Sequence, residues 1–167
     1  TRPSAYFPGY MFLVSTDGSG TNEYILGDKY ALGTLVSPDG KKVLFSEIEQ
    51  NQLRTAVYDI RSKTTVELSQ ATLPEKCAWD NTSTLLYCGI PQKLAQLPYP
   101  DAWYQNQTQF TDNMWTVNPL TGEFKAIIPL QDQVSVPIDV INIKVSKNKK
   151  YLLFQDRYSL TLWKYEL

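Results

Sequence analysis

The sequence has 167 residues with 43% hydrophobic and 13% aromatic content, enough for one folded domain with a substantial core. Sixteen basic residues against seventeen acidic ones leave a formal charge of −1, which provides no basic footprint for nucleic acid or for an anionic membrane surface. Histidine is absent and cysteine occurs twice, so the serine–histidine triad is excluded and no cysteine–histidine zinc site can be completed.

The N-terminal residues Thr1 to Ser4 lack the charged-then-apolar layout of a signal peptide, which leaves a removed targeting segment or a start within a longer protein as the expectations. No apolar run approaches the roughly 20 residues needed to span a bilayer. Tyr10 to Leu26 reads as an aromatic-containing strand, a polar turn and a further strand. Within it, Asp17, Ser19, Thr21 and Glu23 place oxygens at alternate positions. The flanking carboxylates of a calcium loop are mostly missing, however, and Gly18 and Gly20 suit a plain turn.

Leu35 to Ser46 is a strand, a Pro38-Asp39-Gly40 turn and an apolar strand. The plan recurs without gaps at Cys77 to Cys88, around Asp80-Asn81-Thr82, and at Lys144 to Gln155, around Lys147-Asn148-Lys149. In each copy the second strand carries a continuous apolar run, Val43-Leu44-Phe45, Leu85-Leu86-Tyr87 or Leu152-Leu153-Phe154. Continuous runs predict burial on both faces, as for a sheet pressed between two neighbours. A second hairpin follows the first two copies at Thr55 to Leu68 and Asn113 to Ile127, and Ser159 to Leu167 matches only its first half. Leu35 and Cys77 stand 42 positions apart, within the roughly 40–45 of one propeller blade. The second unit carries about 25 extra residues, placed at Pro91 to Asp112.

These segments resemble the TolB-type, WD-like β-propeller repeat, in which a Ser-Pro-Asp-Gly turn precedes an apolar strand and a later strand leads into an Asp-Gly or Thr-Gly turn. Ser37-Pro38-Asp39-Gly40 matches the first turn, Asp17-Gly18 and Thr121-Gly122 the second, and the copy at Asn148 departs from the pattern. The expected architecture is therefore all-β: about three four-stranded antiparallel blades, forming a single partial propeller over 1–167 with an insertion loop at 91–112. Thirteen strands are expected, two before Ala31, then four, four and three. Three blades need twelve, and an open arc would leave uncovered blade faces. The chain is thus expected to be part of a longer propeller, or to be completed by a second copy.

Hairpin alignment sets Cys77 opposite Cys88, where only modest adjustment closes a disulfide. That bond implies an extracytoplasmic location, periplasmic, cell-surface or secreted, and its short loop would do little for global stability. In propellers of this kind the loop at 91–112 emerges on the face that also carries the links between blades. It holds Tyr99, Trp103, Tyr104 and Phe110 with Asp101, Gln105, Asn106, Gln107 and Gln109, a set suited to stacking on a sugar or anchoring a protein. The alternative is that these aromatics fold back as a local core. The residues expected to bind a ligand are Tyr99, Asp101, Trp103 and Tyr104, with Glu75, Asp112 and Asp139 beside them. Replacing Trp103 and Tyr104 by alanine is expected to abolish binding at little cost in stability.

Asn81-Thr82-Ser83 and Asn106-Gln107-Thr108 fit the glycosylation sequon. Asp101, Asp112, Asp132 and Asp139 are the acids that a carboxylate-pair hydrolase would draw on, though no spacing joins any two. No catalytic residue, metal site or cofactor is expected. The sequence reads as a non-catalytic binding or assembly module for a protein or glycan. Its alternatives are an accessory propeller of a hydrolase whose catalytic residues lie elsewhere, and a purely structural self-assembling subunit.

Overall fold

The structure, a computed structural model, describes residues 2–16, 20 and 22–167. Asp17, Gly18, Ser19 and Thr21 of the calcium-like pattern lie outside the described residues. Thirteen strands form among the described residues, in four antiparallel sheets of two, four, four and three strands. β1 (Pro8–Val14) pairs with β2 (Asn22–Tyr30). The first complete blade is β3 (Gly33–Val36), β4 (Lys42–Glu49), β5 (Gln52–Asp59) and β6 (Thr64–Glu67), hydrogen-bonded in that order. The second is β7 (Cys77–Trp79), β8 (Leu86–Pro91), β9 (Asp112–Val117) and β10 (Phe124–Ile128), again in sequence order. The final sheet is β11 (Val140–Val145), β12 (Tyr151–Asp156) and β13 (Leu162–Glu166). The chain is all-β and built of propeller blades, with only a 3-10 turn at Pro74–Lys76 and two single helical turns, α1 (Asp101–Tyr104) and α2 (Leu130–Gln133), between them.

The continuous apolar strands earn their burial by dividing it between neighbours. Along β4, Val43 and Phe45 pack with Ile25 and Leu26 of the preceding sheet, while Leu44 packs with Trp79, Leu86 and Cys88 of the following one. Along β8, Leu86, Cys88 and Ile90 face back toward the first blade, and Tyr87 faces forward onto Val140, Leu152 and Phe154. β12 breaks the pattern: Leu152 and Phe154 are buried but Leu153 is 37% exposed, because no sheet among the described residues covers that side of β12. A run that reads as doubly buried is thus buried on one face here. Tyr10, Phe12 and Tyr24 lie on the outward face of the β1–β2 hairpin and are each more than half exposed.

Cys77 and Cys88 are register partners with Cα atoms 4.1 Å apart and are joined as a disulfide. Both lie in the core between the two complete blades.

The first-hairpin turns of successive blades touch. The Asp39 amide of one donates to Ser83 Oγ of the next (3.1 Å), and Lys149 Nζ of the third reaches Asp80 Oδ2 of the second (2.6 Å). Burial raises the Asp80 pKa, but hydrogen bonds from Lys149, Thr82, Leu85 and Thr84 outweigh it and hold the carboxyl well below the usual range.

Blade-to-blade approach is tightest at Gly89 on β8, where an added Cβ would lie 2.8 Å from Val140 Cβ and 3.2 Å from Asp112 Oδ2. Gly89→Ala is expected to cost about 1–3 kcal/mol by overpacking, read as a lowered midpoint in denaturant unfolding.

Candidate functional site on the loop face

One end of the blades carries the inter-blade links and the segment joining β8 to β9, residues 92–111. α1 sits within this segment, after a cis Tyr99–Pro100 bond. The insertion does not stand out as an open loop. Tyr99, Trp103 and Phe110 are 2%, 4% and 2% exposed and pack with Leu53 of β5 and Leu73 of the inter-blade link, with Ile48 and Ile141 beside them. Stacking orders the group, with Trp103 and Phe110 ring centroids 6.0 Å apart and Tyr99 and Phe110 5.3 Å apart. The first complete blade, the last sheet and a link thus hold the insertion down.

A dry charged cluster lies beneath it. Lys76, fully buried at the end of the 3-10 turn, places Nζ 2.6 Å from Asp112 Oδ2 and 2.5 Å from Asp139 Oδ1, and donates to Val140 O (3.0 Å). Asp139 Oδ2 accepts from Trp103 Nε1 (2.9 Å) and the Phe110 amide (3.1 Å), so the insertion is fastened to the cluster directly. Asp112 Oδ2 also accepts from the Val140 amide (2.7 Å), whereas Asp112 Oδ1 is buried without a hydrogen-bond partner among the described residues. One cation faces two carboxylates. Desolvation outweighs the pull of Lys76 and, with the Asp139 charge, pushes Asp112 up to about 6.

Tyr99 is 2% exposed and packs in the core beneath the insertion. Trp103 is mostly core. Asp112 and Asp139 are brought together as the counter-charges of the buried Lys76. Asp101 is engaged by the N-terminal segment, its carboxylate accepting from Ser4 Oγ (3.1 Å) and the Ala5 amide (2.6 Å). Tyr104 and Glu75 do reach the surface: Tyr104 is half-buried, Glu75 is exposed, and the phenol donates to Glu75 Oε1. Burial and that carboxylate hold the Tyr104 phenol well above its ordinary pKa, so it remains a donor.

Tyr104 and Glu75 line an open cleft of about 440 Å³ together with Arg2, Pro3, Trp103, Ile141, Asn142 and Arg157. Its two cations, Arg2 and Arg157, carry no signal in the sequence that marks them as site residues. The Arg157 guanidinium lies 4.6 Å from the Trp103 ring centroid and donates to Trp103 O (2.8 Å). Arg2 lies 5.3 Å from the Tyr104 centroid. A second hollow of about 470 Å³ shares Arg2, Pro3 and Glu75 and continues along β3 past Thr34.

Solved structures similar to this chain include TolB propellers. TolB from Acinetobacter baumannii superposes with a TM-score of 0.58 at 11% identity, over 95% of this chain and 35% of that one. The putative TolB from Agrobacterium tumefaciens gives 0.62 at 12% identity, over 95% and 51%. The chain has the TolB-type β-propeller fold. The acylaminoacyl peptidase of Pyrococcus horikoshii also matches, with a TM-score of 0.54 at 15% identity over 96% of this chain and 30% of that one. The chain therefore spans about a third to a half of the length of these propeller proteins. No protein-family model and no curated protein matches the sequence.

Removing the buried cation should be severe. Lys76→Met leaves two buried carboxylates without a counter-charge and is expected to cost about 3–5 kcal/mol in denaturant unfolding. Asp112 provides a second reading of the cluster. Its folded pKa, about 6, lies above its unfolded value of about 3.8. Between those values the folded state holds the proton more tightly than the unfolded one, so stability falls as pH rises from about 4 to about 6, by on the order of 3 kcal/mol. Asp112→Asn should remove that downward slope, measured as unfolding free energy against pH in the two proteins.

Proposed function

We propose that this chain is a non-catalytic binding and assembly segment of an extracytoplasmic β-propeller that recognises a protein or glycan partner through its loop face. The observation that carries this reading is the fastening of the insertion. Lys76, Asp139 and the Trp103–Phe110 stack pin a 20-residue excursion rigidly onto the blade tops, leaving a preformed cleft that presents Tyr104 and Glu75. Tyr99 and Trp103 serve as the support from beneath, and Asp101 positions the segment at Ser4 and Ala5. Rigid backing with a few polar and aromatic groups exposed is what a recognition surface needs.

Assembly enters through the outward faces. The apolar side chains of the β1–β2 hairpin and Leu153, Leu160 and Leu162 at the last sheet are exposed, as blade faces would be before neighbouring blades cover them. Two strands and three strands overfill one four-stranded blade, which favours further blades over a second copy of this chain as the covering elements. The buried disulfide supports an oxidising, extracytoplasmic location, and no helix among the described residues is long and apolar enough to cross a membrane. A second reading, an accessory propeller of a hydrolase whose catalytic residues lie outside this chain, is favoured by the likeness to a peptidase in which the matched region is 30% of the length.

Two measurements test the reading. Against a panel of immobilised oligosaccharides and extracytoplasmic proteins, Tyr104→Ala should abolish the retained interaction while changing unfolding free energy by under about 1 kcal/mol. Trp103→Ala should by contrast cost about 3–5 kcal/mol, as for an aromatic removed from a core. Equal binding by wild type and Tyr104→Ala would remove the loop face from recognition. For location, lysis of cells directly into denaturant with excess alkylating agent should leave Cys77 and Cys88 unmodified by mass spectrometry. Labelling of both thiols would assign the protein to a reducing compartment.

A further inference from the structure

We infer that the cleft beside Tyr104 binds a carboxylate group of its ligand, held between the guanidinium groups of Arg157 and Arg2. The inference rests on reading the loop face as a binding surface and names the chemistry that surface selects.

The cleft is floored by two adjacent rings, Trp103 and Tyr104, whose centroids lie 5.6 Å apart. Each ring carries one guanidinium over it, Arg157 at 4.6 Å and Arg2 at 5.3 Å. A guanidinium lying over an aromatic ring is fixed by the ring while its N–H groups remain free to meet a planar anion side by side. Of its five N–H groups Arg157 uses one on Trp103 O and one, at 3.3 Å, on Tyr158 Oη, which leaves three. Neither arginine has a carboxylate within ion-pair distance among the described residues, although seven such pairs form elsewhere in the chain. Arg157 is only partly exposed, so its charge is screened less than that of a surface side chain.

Charge then narrows the anion. Of the cleft-lining residues, Arg2 and Arg157 are cationic and Glu75 anionic, and Glu75 already accepts from the Tyr104 phenol. A net single positive charge suits a monovalent carboxylate better than a phosphate dianion, and the buried carboxylates behind Trp103 oppose a second negative charge further. The remaining walls, Pro3 and Ile141 with the Tyr104 ring, would seat an organic body attached to that carboxylate. Such a carboxylate has two sources, a uronic sugar or a peptide C-terminus.

The test is calorimetric titration of the protein with two matched pairs: glucuronate against glucose, and an N-acetylated dipeptide with a free C-terminus against its C-terminal amide. The expected result is that one acid binds about tenfold or more tightly than its neutral counterpart, and the pair that discriminates identifies the source. Arg2→Met, at an exposed position, should lose that preference without changing thermal stability. Arg157→Lys should also lose it, because lysine keeps the charge but not the paired N–H geometry. Equal affinity for acid and neutral probes, or no binding of either acid up to about 10 mM, would overturn the inference. So would an Arg157→Lys protein that loses stability yet keeps the acid preference, since that would assign the guanidinium to balancing the buried carboxylates. Neutral probes that bind equally well and depend on Tyr104 would leave the loop-face reading standing and sink the carboxylate alone.

Discussion

Lys76 has no access to water, and the arrangement of the loop face follows from the requirement to neutralise it. Taking an ammonium out of water costs several kcal/mol, which is recovered only if its partners are close and their remaining lone pairs are engaged. Here the partners come from two separate stretches of chain: Asp112 at the start of β9, and Asp139 with the adjoining Val140 carbonyl where β11 begins. Asp139 must in turn be satisfied, and its donors are Trp103 and Phe110 of the insertion. The charge of one side chain thus dictates where a long excursion comes to rest and how its aromatics are turned.

The architecture was readable because propeller blades impose a pattern that survives in one sequence. The strand tally of two, four, four and three could be counted from turns and apolar runs alone, and the register that sets Cys77 opposite Cys88 followed from aligning the hairpins. The candidate site was far less legible. Lys76 carries no periodic signal, and its acidic partners are 36 and 63 positions away, so nothing local marks it as buried. A faint sign was present in Asp112 and Asp139, carboxylates at the threshold of otherwise apolar strands. Aromatic composition marked the insertion as unusual but could not say which ring faces water: Tyr99 and Trp103 turned inward, and their neighbour Tyr104 outward. Arg157 was overlooked because its partner ring belongs to a segment 54 residues earlier.

The end sheets show how much a blade depends on its neighbours. Leu153 belongs to a run that reads by sequence like Val43-Leu44-Phe45, yet it is exposed because no sheet among the described residues packs on that side of β12. Burial in such an array is a property of the pair of sheets, not of the strand.

The two ends of the blades are fastened by different chemistry. On the loop face the third sheet is locked to the second through a dehydrated lysine and its carboxylates. At the opposite rim, successive hairpin turns are joined by the Asp39–Ser83 hydrogen bond and the Lys149–Asp80 pair, where Lys149 remains open to solvent. Added salt weakens the second kind of fastening far more than the first. Rising ionic strength is therefore expected to loosen the Lys149–Asp80 pair at the far rim before it reaches the buried cluster beneath the cleft beside Tyr104.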